Sequence, residues 1–255
     1  MGCLSKFVLT KYNFVQDNLS IIFSFYATSC YHSPNRNTIV ALARARDGVG
    51  NRTTSPPVTV NVVVDNNGVT LPSPWEDQDL GSVGVTGGAI YSNGTFIVQG
   101  SGIDLGGNED AFHFVHRPWN GDGQIVARVV DIQNAAVGAK TGLMIRRSLA
   151  EHSDRAMMVL TSNNGAAFQY RNNTMAMSIS TASGTETALS WLKLERRRDT
   201  LTGYKSDDGV NWEAVGSSTM SLGNTVEVGV VVSSQDNSVL CTSTLDNVSV
   251  VTFED

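Results

Sequence analysis

"WLKLERRRDTLTGYKSDDGVNWEAVG", residues 191–216, alternates apolar and polar positions, breaks at a turn, and resumes. Leu192 and Leu194 fall on one side, while Trp191, Lys193 and Glu195 fall on the other. That period of two is what a half-buried strand requires. Asp207-Asp208-Gly209 supplies the turn, and a short strand follows over 211–215. Trp212, just past the turn, is read as core packing. The run Arg196, Arg197 and Arg198 ends a strand and is read as a solvated edge rather than a phosphate site.

The same texture extends in both directions. Strands are expected over 94–99, 110–116, 123–132, 141–147, 155–161, 165–171, 190–197, 200–206, 211–215, 225–233 and 239–251. Between them stand turn signals such as Ser92-Asn93-Gly94, Asn120-Gly121-Asp122-Gly123 and Asn163-Asn164-Gly165. No helical period is visible. Short strands at regular spacing predict an all-β fold, a two-sheet jelly-roll sandwich over residues 74–255.

Composition agrees with this. The 255 residues carry a net charge of -6, which argues against a nucleic-acid partner, because such a partner calls for a basic face. Few charges with many Gly, Ser, Thr, Asn and Val suit an extracellular or cell-surface β protein. The three cysteines, Cys3, Cys30 and Cys241, contain no CxxC pair, and only Cys241 lies in the jelly roll, so neither a thiolate zinc site nor an internal disulfide is expected there.

The stretches "GSGIDLGGNEDAFHFVHRP", "GDGQIVARV", "KTGLMIRRSL", "WLKLERRRDTLTGYKSDDGVNWEAVG" and "CTSTLDNVSV" span residues 100–250 in order. Together they resemble the concanavalin A-like (laminin-G-like) jelly rolls appended to bacterial secreted multidomain proteins. That superfamily includes lectins, carbohydrate-binding modules and glucanases, so the resemblance implies a glycan-related role without fixing an activity. It also implies a structural Ca2+ tying the first strand to the last, with Asp79 and Asp246 as the acids in the right regions. The alternative for Asp246 is that it caps a turn or pairs with a basic side chain. "SDDGVNW" resembles the Asp-box hairpin of sialidases, one residue short.

Strand parity nominates a binding face. Leu143 and Ile145, Phe168 and Tyr170, and Leu192 and Leu194 are expected in the core. Phe112 and Phe114 are placed with them, so His113 faces outward and His116 points the other way, and the two histidines cannot share a metal. His113, Arg146, Gln169 and Arg171 would then line one outer sheet face, with Trp119 from the "HRPWNGDG" loop either at its rim as a stacking platform for a sugar ring or, equally, capping the end of the core. Arg146 and Trp119 would contribute little to the core. An ordinary wet sheet face is the competing reading.

Catalysis is not expected. The Glu-x-Asp-x-Glu strand of retaining glucanases is absent, Glu109 and Asp110 are adjacent and point apart if extended, and no GxSxG elbow occurs. "GSGIDLGG" precedes no helix and is not read as a phosphate loop. The expected function is therefore noncatalytic carbohydrate binding. A structural or adhesion spacer is the alternative, and a polysaccharide-active enzyme a lesser one.

Residues 1–64 read differently. "TIVALARARDGVGNRTTSPPVTVNVVV", residues 38–64, is strand, turn, strand. Within it "ARARDGVGNRTTSPPVTVNV" resembles the last two strands of bacterial immunoglobulin-like repeats, and residues 1–37 do not supply the other five in recognisable form. The expectation is an incomplete immunoglobulin-like segment, a linker over 65–73 ("DNNGVTLPS"), and membership of a larger multidomain chain. "LSIIFSFYATSC", residues 19–30, is too short to span a bilayer. It is read either as the apolar part of an export signal ending at Cys30 or as part of a mis-started segment.

Overall fold

The computed structural model describes residues 6–16, 19–30, 37–46, 52–54, 58–62, 71–103, 105, 110–133, 137–161, 165–172, 179–183 and 189–254. The chain divides into two compact units, Met1–Gly68 and Val69–Asp255. Among the described residues there is no helix, and so none long and apolar enough to cross a membrane.

The first unit holds one sheet of five strands: β1 (Lys6–Gln16), β2 (Leu19–Cys30), β3 (Asn37–Arg46), β4 (Arg52–Thr54) and β5 (Val58–Val62). The order is β1-β2-β3-β4, and β5 also pairs with β3. Residues 19–30 are thus one strand of this sheet, and residues 1–37 carry two strands that the sequence pattern did not disclose. Of the expected linker, residues 65–70 lie outside the described residues.

The second unit is a sandwich of two seven-stranded antiparallel sheets. Its strands are β6 (Glu76–Leu80), β7 (Gly88–Ser92), β8 (Thr95–Gly100), β9 (Phe112–Asn120), β10 (Gly123–Gln133), β11 (Lys140–Arg146) and β12 (Arg155–Thr161). They continue with β13 (Gly165–Arg171), β14 (Ile179–Ser183), β15 (Ser190–Arg197), β16 (Thr200–Ser206), β17 (Glu213–Thr219), β18 (Thr225–Ser233) and β19 (Cys241–Thr252). One sheet runs β17-β16-β15-β10-β19-β8-β7, and the second runs β14-β13-β12-β11-β18-β9-β6. The eleven expected strands are all present. β6, β7 and β14 are additional. All three are edge strands, short and without a clear apolar alternation.

Turn chemistry sets the hairpins. β7 and β8 are joined by Asn93 and Gly94 with φ of 50° and 83°, and Ser92 pairs with Thr95. Two positive φ values are what a two-residue primed turn needs, and Asn-Gly supplies them at least cost. Gly123 starts β10 with φ 154°, where a Cβ would fall 2.0 Å from the Val251 carbonyl oxygen and 2.8 Å from Trp119 Cζ2. Only glycine lets these strands approach so closely.

The core lies between the sheets. Ile125, Ala127, Val129, Leu192, Leu194, Phe96 and Val98 meet Val226, Val228, Val230, Val232, Leu143, Ile145, Met158 and Phe168. Parity is therefore as expected on β11, β13 and β15. On β9 it is reversed. Val115 pairs with Val230 and, with Trp119, faces the inter-sheet core, whereas Phe112 and Phe114 do not. The two phenylalanines belong to a second apolar cluster on the outer face of the second sheet, with Met144, Met157, Val159, Ala167 and Val231 under Leu80, Leu105 and Leu149. The largest apolar side chains were assigned to the only core that an isolated strand suggests. This sheet is covered on both faces, so both faces of β9 are apolar.

Candidate functional site

The outer face of the second sheet carries a continuous polar network beside that second cluster. Its centre is Asp110, which leads into β9. Arg146 from β11, Arg155 from β12 and Arg171 from β13 lie side by side, as the cross-strand pairs Arg146–Arg155 and Arg155–Arg171 show. All three reach the one carboxylate: Arg155 Nε to Oδ1 at 3.1 Å, Arg146 Nη2 to Oδ2 at 3.2 Å, and Arg171 Nη2 to Oδ2 at 2.7 Å. None of these four side chains reaches solvent.

Three like charges that close would repel strongly in a dry site. The carboxylate offsets part of this, and main-chain dipoles offset more. Arg146 donates to the carbonyls of Ser148 and Ala150, Arg155 to that of Leu105, and Arg171 to those of Glu151 and Ser153. The Arg146 and Arg155 guanidiniums also reach Met144 Sδ at 3.8 Å and Met157 Sδ at 3.5 Å. Burial pulls the Arg146 pKa down to about 10, Asp110 opposes this, and the neighbouring arginines add to it.

A second part of the network lies towards β6. His116, on the same face as Phe112 and Phe114, stacks on the Phe114 ring at 5.1 Å between centroids. Its Nδ1 donates to Glu227 Oε2 at 2.7 Å, and its Nε2 accepts from the Gln78 amide at 3.0 Å. The carboxylate can only accept and the amide nitrogen can only donate, which fixes the proton on Nδ1. Glu227 is the cross-strand partner of Arg146, so the two parts meet at the β11–β18 pair. Glu227 keeps 19 % of its side chain exposed and Gln78 is half-buried, so solvent reaches the network here.

Arg146, Gln169 and Arg171 thus share one outer face, as parity indicated; Met157 lies between Arg155 and Val159 on β12 and pairs with Gln169. His113 does not join them. It faces inward on β9, is buried, and is held between Asp79 Oδ1 at 2.8 Å and Asp77 Oδ2 at 3.1 Å. A Cβ on Gly87 or Gly100 would collide with it, so its place is filled tightly. Trp119 is no rim residue either. Only 4 % exposed, it packs in the core and donates its indole N–H to Thr252 Oγ1 at 2.9 Å. Trp212 departs from expectation in the other direction. It is half-buried on the outer side of the first sheet, where Lys193 Nζ lies between its ring and that of Tyr204 at 4.6 and 4.1 Å.

Asp110, Arg155, His116, Glu227 and Gln78 are the members that parity reasoning missed. Arg155 was readable, because Ala156, Met158 and Leu160 alternate in "RAMMVLT" and place it opposite the core. His116 hinges on the reversed face of β9, and Gln78 on the edge strand β6, which the pattern does not show.

The two acids expected to hold calcium do not fit a shared ion. Asp79, on β6, accepts from His113 and from the Gly87 amide. Asp246, on β19 in the other sheet, accepts from Arg128 with both oxygens. Gly100, against His113 Cβ, and Thr95, the partner of Asp246, stand at opposite ends of β8, about 16 Å apart at the rise of a strand. Among the described residues no group of three or more His, Cys, Asp or Glu could hold a metal ion.

No family model matches the chain, and no curated protein does. Solved structures share its fold. A functionally unknown protein from Saccharomyces cerevisiae aligns with a TM-score of 0.55 at 13 % identity, over 66 % of this chain and 93 % of that one. The GH43 protein BlXynB from Bacillus licheniformis aligns with a TM-score of 0.53 at 12 % identity, over 95 % of this chain and 65 % of that one. The carbohydrate-binding module CBM66 from Bacillus subtilis aligns with a TM-score of 0.47 at 16 % identity, over 69 % of this chain and 94 % of that one. At such identities the likeness is one of fold: the second unit is an all-β, two-sheet jelly-roll sandwich.

Proposed function

We propose that the jelly roll is a noncatalytic carbohydrate-binding module of a secreted or cell-surface protein, and that it takes a glycan on the outer face of its second sheet. One observation carries this reading: a network of planar polar side chains, fixed in place by a buried Asp110–arginine centre, reaches solvent at Gln78 and Glu227, above the buried, stacked rings of His116 and Phe114. Sugars present hydroxyls that donate and accept, and a site that holds acceptors and donors rigidly loses little entropy on binding them. Arg146 and Arg171 support this surface from below. A ligand would reach them only if the 147–154 connection or the segment bearing Leu105 moved aside. The few charges and the second β unit before the jelly roll support an extracellular multidomain setting.

The test is calorimetric titration with plant, algal and microbial polysaccharides, with reducing-end release measured in parallel. A few net hydrogen bonds of ~0.5–1.5 kcal/mol, less the association cost, predict dissociation constants on the order of micromolar to millimolar. Glu227→Gln should weaken binding at unchanged melting temperature. Absence of heat with every polysaccharide would favour the spacer reading, and release of reducing ends would make the protein an enzyme.

A further inference from the structure

Arg196 closes one end of the sandwich. It follows Leu192 and Leu194 on the inner side of β15 and is only 5 % exposed. Its Nε donates to the Arg198 carbonyl at 3.1 Å and its Nη2 to that of Gly223, but its Nη1 is buried with no hydrogen-bond partner. A guanidinium carries five donors in one plane, and a buried donor without an acceptor is a cost that folded proteins rarely leave standing.

Over this group opens a cleft of about 460 Å3, lined by Asp122, Arg196, Arg198, Asp199, Asn224 and Phe253 among others. That volume lies in the range of small-molecule sites. Three turns and the end of β19 ring it, and they are tied to one another. Asp122 Oδ1 accepts from the Arg198 amide at 2.6 Å, and the Asp122 carbonyl accepts from the Phe253 amide at 2.9 Å. The Asp199 carbonyl accepts from the Met220 amide at 2.7 Å. Trp119 braces Thr252 from beneath. Arg198 is held at φ 55°, a backbone state that a non-glycine residue adopts only when its surroundings impose it. The cleft is therefore formed before any ligand arrives.

Its charge decides the ligand class. The lining holds two arginines and two aspartates, and Asp122 and Asp199 both act on the Arg196 guanidinium against the effect of its burial. With no net charge, the cleft gives an ion no advantage. Donors and acceptors side by side match vicinal hydroxyls, each of which donates and accepts. We propose that this cleft is a second binding site of the jelly roll, separate from the outer face of the second sheet, and that it takes the end residue of a neutral glycan.

The site shares no residue with the outer-face network, so either can stand without the other. Backbone amide shifts of the whole chain would be followed by NMR during titration with glucose, galactose, mannose, xylose, arabinose and fructose, and with glucuronate as the charged comparison. At least one neutral sugar should give saturable shifts at Asp122, Arg198, Asn224 and Phe253 with millimolar affinity. Asp199→Asn, at an exposed side chain, should weaken it about tenfold at unchanged melting temperature. Glu227→Gln should leave these shifts intact, which separates this site from the outer face. The proposal is overturned if no neutral sugar shifts these amides at concentrations up to about 50 mM, above the expected affinity range. It is equally overturned if glucuronate binds better than every neutral sugar, or if Asp199→Asn binds as the wild type does.

Discussion

Asp110 Oδ2 lies 2.7 Å from Arg171 Nη2, and no part of either side chain reaches solvent. Arg146 and Arg155 converge on the same carboxylate. Removing one partner of a buried ion pair leaves an uncompensated charge in a dry site, at a cost of ~3–5 kcal/mol. Here one substitution would strand three guanidiniums. Asp110→Ala is therefore predicted to lower unfolding stability by at least about 3 kcal/mol in denaturant titration. Arg146→Ala should also destabilise, although an exposed groove residue would not. A loss below about 1 kcal/mol for Asp110→Ala would show that the main-chain carbonyls suffice to hold the arginines.

How much of this was legible follows strand by strand. On β15, leucines alternate with long polar side chains, so its buried face is readable from the strand alone. On β11 and β13 the parity was also readable, although there both faces are sealed. On β9 neither face is polar enough to betray itself. "FHFVHRPWN" offers two phenylalanines on one side and Val115 and Trp119 on the other. The choice is made by β18, where Val226, Val228, Val230 and Val232 turn inward and carry Trp119 and Val115 with them. That is long-range information, absent from any local window. The same error moved His113 outward and left His116 out of the site. Parity locates Arg146 and Arg171, but not their burial, which depends on connections that fold back over the sheet.

Trp119 supplies a direct check of that reversal. As a rim residue it would be lost without effect on stability. Packed between the sheets with its N–H on Thr252, it should cost ~3–5 kcal/mol on replacement by alanine. Phe114→Ala should cost a similar amount through the second cluster. A melt of Trp119→Ala within about 2 °C of wild type, the shift of no more than about 1 kcal/mol in a domain of this size, would return Trp119 to the surface.

His113 ties the edge strand β6 to the sheet. Asp77 and Asp79 both lie on β6, which among the described residues pairs only with β9. Both ring nitrogens face carboxylates, so His113 bonds to two residues of one strand at once. His113→Gln keeps at most part of this, and its first effect should be local opening of β6. Hydrogen exchange at the amides of 76–80 is predicted to speed up more than exchange in β10 or β18, at the centres of the two sheets. Uniform acceleration across all strands would instead mean that His113 stabilises the whole sandwich.

Cys241 is fully buried where β19 begins, and burial pushes its thiol up to about 11. The thiolate is the reactive form, so the folded protein should leave this residue unmodified by iodoacetamide at neutral pH. Peptide mapping by mass spectrometry should find Cys241 labelled only in denaturant, with labelling tracking the unfolding transition. Rapid native labelling would show that the β8–β19 end of the first sheet opens locally without global unfolding.

Asp246 allows a prediction with a definite sign. Hydrogen bonding from Arg128 holds its carboxyl below the ordinary value, Asn247 adds to this, and partial burial opposes it. A carboxyl whose folded pKa lies below its unfolded value of about 3.9 adds stability at higher pH, and that contribution is lost as pH falls through the folded value. Asp246→Asn should therefore melt below wild type near neutral pH, and the gap should narrow as the pH is lowered from about 5 towards 2. The Arg128→Gln variant should behave in the same way, because the gain belongs to the pair. A gap that stays constant across this range would assign the effect to lost packing against Trp191, over whose ring Arg128 lies at 5.7 Å, rather than to the charge on Asp246.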